Sequence, residues 1–270
     1  MRTEFAIGGE VVSFSEMGPL IDQAADLILK AKRIVVFTGA GVSTESGIAD
    51  FRSPGGIWQR FDPDDFTYHK YLLSPECRRK NWQLLVMSAP LLQARPNPAH
   101  LAIAELEAMG KLECVITQNI DNLHQAAGNS PGKVIELHGT ARWVRCLSCD
   151  HRYAVEEVLA RLSAGETDPQ CTTCSGILKL MTISFGEPMP LKETLEAQAR
   201  SRSCDLFIVV GSSLVVYPAA DMPSHALQSG SKLMIVNLDP THLDQLADVV
   251  IHGRAGEVMA KVMERVRERV

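Results

Sequence analysis

The chain has 270 residues, 46% hydrophobic and 22% charged, the balance of a folded globular protein with room for one large domain or two smaller ones. Its formal net charge of −5 excludes a protein held to nucleic acid mainly by phosphate contacts, which would need a surplus of cations. No apolar run approaches the roughly 18–20 residues of a membrane helix, and Met1-Arg2-Thr3-Glu4-Phe5 leads into no secretory signal. A cytoplasmic location is expected, with no membrane and no direct nucleic-acid partner.

In chain order, apolar periodicity predicts a helix over Pro19–Ala31 and a strand over Arg33–Thr38 that runs into a glycine-rich turn. The stretch Ser53–Arg95 mixes Pro, Asp and aromatic residues and offers no strand. A helix over Pro98–Met109 precedes strands at Cys114–Gln118 and Val134–Leu137, and Trp143–Met181 again breaks the rhythm. Helices at Leu191–Arg200, at Pro218–Gln228 and from Gly256 onward then alternate with strands at Leu206–Val210, Leu233–Asn237 and Val249–Ile251. Continuous β-branched runs suit strands covered on both faces, and their alternation with helices indicates an α/β protein with a doubly wound parallel sheet. The two irregular stretches read as insertions that together make a smaller domain.

Seven cysteines are an awkward number for a disulfide framework. Four form two Cys-x-x-Cys pairs, Cys146/Cys149 and Cys171/Cys174, with 21 residues between the pairs. Each pair sets two thiolates on a tight knuckle, and two knuckles complete a tetrahedral sulfur shell with no position left for water. One structural Zn(2+) is expected, in preference to a pair of redox dithiols.

After the first strand, Gly39-Ala40-Gly41-Val42-Ser43-Thr44 permits close approach of backbone N–H groups to a pyrophosphate at a helix N-terminus, although the third fingerprint glycine is replaced by Thr44. Asp50, Phe51 and Arg52, followed by glycines, suit a loop that closes over a ligand and brings a cation to phosphate. The ends of later strands carry Gln118, Asn119 and Asp121, then His138, then Gly211, Ser212 and Ser213, then Asn237 and Leu238. Ligands bind at that edge of an open α/β sheet, and His138 is the candidate base there.

Taken in order, Gly39 to Ile48, Asp50-Phe51-Arg52, Thr117 to His124, His138-Gly139, the four cysteines, Phe185-Gly186-Glu187, Gly211 to Leu214 and Val236-Asn237 resemble the sirtuins, the NAD-dependent protein deacylases. The resemblance runs from about Ala31 to Val258. It implies a Rossmann-like NAD-binding domain built from 1–52, 98–142 and 182–270. A helical insertion at 53–97 and a zinc-ribbon insertion at 143–181 would form the small domain. It further implies that NAD is a co-substrate: the acyl oxygen of a modified lysine attacks the nicotinamide ribose, nicotinamide leaves, and O-acyl-ADP-ribose and free lysine result. An alternative use of the same cleft is ADP-ribosyl transfer to protein.

By the same resemblance His138 is the general base, while Asn119 and Asp121 hold the ribose and the nicotinamide carboxamide, the latter with Ile48. Phe51 shields the sugar, Arg52 and Ser43 steady the phosphates and ribose, and Gly39, Ala40, Gly41, Asp50, Gln118 and Ile120 line the cofactor cleft. Gly211, Ser212, Ser213, Asn237 and Leu238 take the adenosine half, with Ala255 near the adenine. The acyl-lysine peptide lies as a strand between Phe185-Gly186-Glu187, with Ile183, and Val215-Val216. Ala49 stands where the family usually has proline. Leu180 to Ser184 also departs from the usual pattern. Trp82 and Leu85 occupy places where sirtuins preferring dicarboxylic acyl groups carry Tyr-x-x-Arg, so an apolar wall and a preference for acetyl or longer aliphatic groups are expected.

Overall fold

The structure is a computed structural model that describes residues 5–7, 10–12, 14–50 and 62–270. A short antiparallel hairpin of β1 (Phe5–Ile7) and β2 (Glu10–Val12) leads into α1 (Phe14–Lys30). That helix begins before the expected Pro19 and contains it.

The main sheet joins six parallel strands: β3 (Ile34–Thr38), β4 (Leu112–Thr117), β5 (Val134–Glu136), β9 (Leu206–Val210), β10 (Lys232–Asn237) and β11 (Val249–His252). Their order is β11-β10-β9-β3-β4-β5, so the winding reverses between β3 and β9. This is the expected doubly wound sheet. The two-residue period of each strand divides its unbroken apolar run between two cores. Ile34, Val36, Leu206, Ile208 and Val210 pack with α1, α4 (Pro98–Ala108) and α9 (Ala255–Arg267), through Ile28, Ile103 and Met259. Val35, Phe37, Phe207 and Val209 pack on the other face with α7 (Leu191–Ser203) and α8 (Met222–Gln228). Helix α8 starts four residues after the expected Pro218, because a 3-10 turn, Ala219–Asp221, intervenes.

A second, antiparallel sheet of three strands was not legible as strands. It has the order β7-β6-β8, with β6 (Gly139–Cys146), β7 (Arg152–Ala154) and β8 (Leu178–Thr182). Gly139, at φ +73°, lets β6 cross β8 closely, since a Cβ there would lie 2.0 Å from the Met181 carbonyl oxygen. Against this sheet pack α2 (Tyr68–Leu73), α3 (Pro75–Ser88) and α6 (Val155–Ser163). Trp82 and Leu85 of α3 are buried with Val144, Tyr153, Val158 and Leu178. They therefore belong to the ribbon's core and form no open wall, so a preference among acyl groups cannot rest on them. Arg78 of α3 ties the helical segment to the ribbon by a forked contact to Asp168, at 3.0 and 2.8 Å.

Candidate active site

The side chains of the site cluster at the carboxyl edge of the six-stranded sheet. There the turns after β3 and β9 touch across the switch point: the Gly41 N–H donates to the Gly211 carbonyl at 2.9 Å. A Cβ on Gly41 would fall 2.8 Å from that oxygen, and one on Gly211, whose φ is +64°, would fall 2.2 Å from Val42 N. Backbone meets backbone, so only glycine serves. The segment after the first turn, Ala40–Ser46, is a 3-10 helix where an α-helix N-terminus was expected. Glu45 accepts the Gly256 N–H at 2.5 Å and so links this segment to the start of α9, beside buried Ala255.

Ser43 is 1% exposed and anchors a polar network. Its hydroxyl donates to Asp121 Oδ2 at 2.7 Å and accepts from Asn119 Nδ2 at 3.0 Å. His100 Nδ1 accepts the Asn97 N–H at 3.3 Å, which places the imidazole proton on Nε2, facing Ser43 Oγ at 3.4 Å. Asp121 serves twice, for its Oδ1 also accepts the Leu123 N–H at 3.0 Å and starts α5 (Leu123–Ala127). From below, Thr117 Oγ1 accepts the Asn119 N–H at 3.0 Å and bonds Thr38 Oγ1 at 2.8 Å, which in turn meets His124 Nε2 at 2.9 Å. Burial pushes His100 down to about 4, against the opposing pull of Asp121, and pushes His124 down to about 3, with His100 adding to the fall. Both rings are neutral near pH 7. Thr38, Thr117, His100 and His124 were given no role from sequence, although His124 ends the polar run Thr117–His124 and His100 completes the capping box begun by Asn97.

His138 lies between β5 and β6. Its Nδ1 is 3.0 Å from the Gln118 carbonyl, which can only accept, so the ring proton sits on Nδ1 and Nε2 keeps a free lone pair. Burial lowers its pKa from the ordinary histidine value and the Gln118 bond partly restores it. Gln118 also donates to Ser212 Oγ at 3.0 Å, across the switch point. The Ile120 carbonyl accepts the Ala141 N–H at 3.0 Å. Asn237 turns its amide onto the Asp239 carbonyl at 2.7 Å, and Ser213 and Leu238 are exposed beside it. Ile48 is half-buried and donates its N–H to the Ser43 carbonyl at 3.3 Å, and Asp50 is half-buried. Phe51 and Arg52 lie outside the described residues.

On the ribbon side, Ile183 donates its N–H to the His138 carbonyl at 2.9 Å. Phe185 is 47% exposed and Gly186 is exposed beside it, while in the segment after β9 Val215 is 52% exposed and Val216 half-buried. Glu187 departs from the rest, because its carboxylate is buried in the ribbon at 6% exposure.

The four cysteine sulfurs lie within 4.8 Å of one another, with Cys146 to Cys174 at 3.5 Å and Cys149 to Cys171 at 3.7 Å. Thiolates at the usual Zn–S distance of about 2.3 Å on a tetrahedron stand about 3.8 Å apart, so the set fits zinc. It closes β6 onto the loop before β8, well away from the network at Ser43 in sequence and in sheet. The other edge fits a dinucleotide: two turns built on glycine flank the switch point, and hydroxyl, amide and carboxylate groups beside them match a ribose.

Fold and site thus define a nucleotide-binding α/β protein that carries a structural-metal ribbon. Residues 39–218 match the model of the Sir2 family. The chain belongs to that family. It is 45% identical to an NAD-dependent protein deacetylase of Thermodesulfovibrio yellowstonii, over 92% of this chain and 95% of that one. It is also 45% identical to NAD-dependent protein deacylase 2 of Archaeoglobus fulgidus, over 92% and 96%. Among solved structures, a Sir2 protein with a deacetylated p53 peptide and 3'-O-acetyl-ADP-ribose superposes with a TM-score of 0.84 at 40% identity, covering 90% of this chain and 97% of that one. A Sir2 complex with a p53 peptide and NAD+ gives 0.82 at 39% identity, covering 92% and 97%.

Proposed function

We propose that the protein is an NAD-dependent protein lysine deacylase, which moves the acyl group from lysine to ADP-ribose and releases nicotinamide. The observation that carries this is the pairing of an unprotonated His138 Nε2 with the Ser43–Asn119–Asp121 network one strand away, at the switch point. NAD, when bound, supplies the electrophilic ribose carbon and the leaving nicotinamide. Asn119 and Asp121, fixed by Ser43, orient the ribose and carboxamide, with Ile48 beside the latter. His138 takes the proton of a ribose hydroxyl at Nε2 and its neutral form is ready near pH 7. The turns at Gly39–Gly41 and Gly211–Ser213 hold phosphates and the adenosine half with Asn237, Leu238 and Ala255. Positioning does much of the work, because the nucleophile is a weak, neutral acyl oxygen.

The acyl-lysine peptide adds as a strand along Gly186 and Val215-Val216. The large domain comprises 1–52, 98–142 and 182–270, with the small domain from 53–97 and 143–181. The site of action is the cytoplasm. Among the described residues no helix is long and apolar enough to cross a membrane. Protein ADP-ribosylation, the alternative, has no counterpart among the relatives and complexes named above.

Incubation with NAD and an acetyl-lysine peptide tests the reading. Nicotinamide and O-acetyl-ADP-ribose should form in equal amounts, with no mass increment on protein. Nicotinamide release with ADP-ribose left on protein would overturn it.

A further inference from the structure

Glu187 was expected to touch substrate, yet its carboxylate points inward. Its Oε2 accepts from Lys179 Nζ at 2.8 Å and from the Ser184 N–H at 2.9 Å, and Oε1 lies 3.6 Å from Arg145. Lys179 is itself 3% exposed. Its ammonium also donates to the Thr182 carbonyl at 2.5 Å and the Leu180 carbonyl at 3.3 Å, and it stands 5.9 Å from the centre of the Tyr68 ring. Burial lowers the Lys179 pKa, while Glu187 opposes the fall.

A buried ion pair seldom stabilises more than apolar side chains of the same volume, so what it contributes is geometry. Here it gathers β6, β8, the start of α2 and the turn Ser184–Glu187. That turn is closed by the Glu187 N–H on the Ser184 carbonyl at 3.0 Å. Phe185 is held by both backbone groups, its N–H on the Phe66 carbonyl at 3.3 Å and its carbonyl on the Tyr68 N–H at 2.8 Å. With Ile183 bonded to His138, the segment is pinned at three places and Gly186 is left exposed at its tip.

We propose that Lys179 and Glu187 are positioning residues for the acylated peptide: their buried pair holds the turn Ser184–Glu187 in the shape that presents Gly186, with the exposed Phe185 side chain beside it, to the incoming strand. The inference rests on the reading that the peptide lies along this segment. The partners of both side chains, Arg145, Leu180, Thr182, Ser184 and Tyr68, include no residue of the nucleotide edge, so the effect is selective for peptide.

Steady-state kinetics with acetyl-peptide and NAD, varied separately, decide the matter. Lys179→Met should raise the peptide KM about tenfold or more and leave the NAD KM within about twofold. Lys179→Arg should recover most of the loss. Because one unpaired buried charge can unfold the protein, Lys179→Met with Glu187→Leu is made as well. That double variant should fold with a near-normal Tm and keep the raised peptide KM, since the tethers to Ser184 and Thr182 are gone. An unchanged peptide KM in the folded double variant, or equal rises for peptide and NAD, overturns the proposal. Gly186→Val separates the two layers. If it leaves the peptide KM unchanged, the peptide lies elsewhere and the underlying reading fails too. If it raises the peptide KM while the Lys179 variants do not, the positioning claim alone is wrong.

Discussion

The two sheets of this molecule solve the same problem with different forces. The six-stranded sheet is apolar on both faces, so beyond its backbone ladder it is held mainly by packing. The three-stranded sheet has a far smaller core, and Cys146 and Cys171 form part of it. It adds a forked Arg78–Asp168 contact and a buried Lys179–Glu187 pair. Small cores need such staples. The proposed chemistry sits on neither sheet but on the seam, where His138 connects β5 to β6.

The largest expected effect is on the ribbon. Cys171→Ser, or removal of the metal by a chelator, should abolish stoichiometric zinc binding and amide-exchange protection of β6–β8, while the central strands stay protected. Simultaneous loss of protection in both sheets would show that they are one cooperative unit.

In the large sheet the corresponding weak point is apolar. Phe207, fully buried and 6.3 Å from the Phe37 ring, should cost roughly 3–5 kcal/mol as Phe207→Ala, measured by denaturant unfolding, with zinc content unchanged.

At the seam, His138→Ala should lower deacetylation turnover about 10²–10⁴-fold with Tm and zinc content intact. Turnover within a few-fold of normal would remove the base assignment.

Two smaller effects depend on pH. His100 and His124 are buried neutral, with pKa values pushed down to about 4 and about 3. Below their unfolded values the unfolded chain binds more protons, so their contribution is fully present above about pH 6.5 and is lost as pH falls toward about 4 and about 3. Thermal unfolding should therefore drop across that window, and His124→Gln should flatten the drop. For His138 the neutral ring is the active form and burial lowers its pKa. The acid limb of kcat/KM should accordingly lie below the ordinary histidine value of about 6.5. A limb at or above that value would mean that another group limits the rate.

Much of the large sheet was legible because a parallel strand covered on both faces must be apolar throughout. Leu206–Val210 matches its predicted bounds, and Arg33–Thr38 differs by one residue. The four cysteines were legible because metal-ligand spacing is local. The ribbon strands were not, since β6 buries Ala141, Val144 and Cys146 at spacings of three and then two, with Arg142, Trp143 and Arg145 half-buried or exposed between them, and gives no clean period. Lys179 had one faint signal, a charge within the apolar run Ile177-Leu178-Lys179-Leu180-Met181.

The sequence by itself determined the α/β class, the glycine turn, the metal ligands and the polar strand ends, for each is written in neighbouring residues. Only the tertiary structure decided that Gly41 meets Gly211, that His100 and His124 support Asn119 and Asp121, and that Trp82, Leu85 and Glu187 face inward. Those outcomes depend on which segments the folded chain brings within hydrogen-bond reach. A strand's own period says that a side chain is buried, but its partner is chosen by topology.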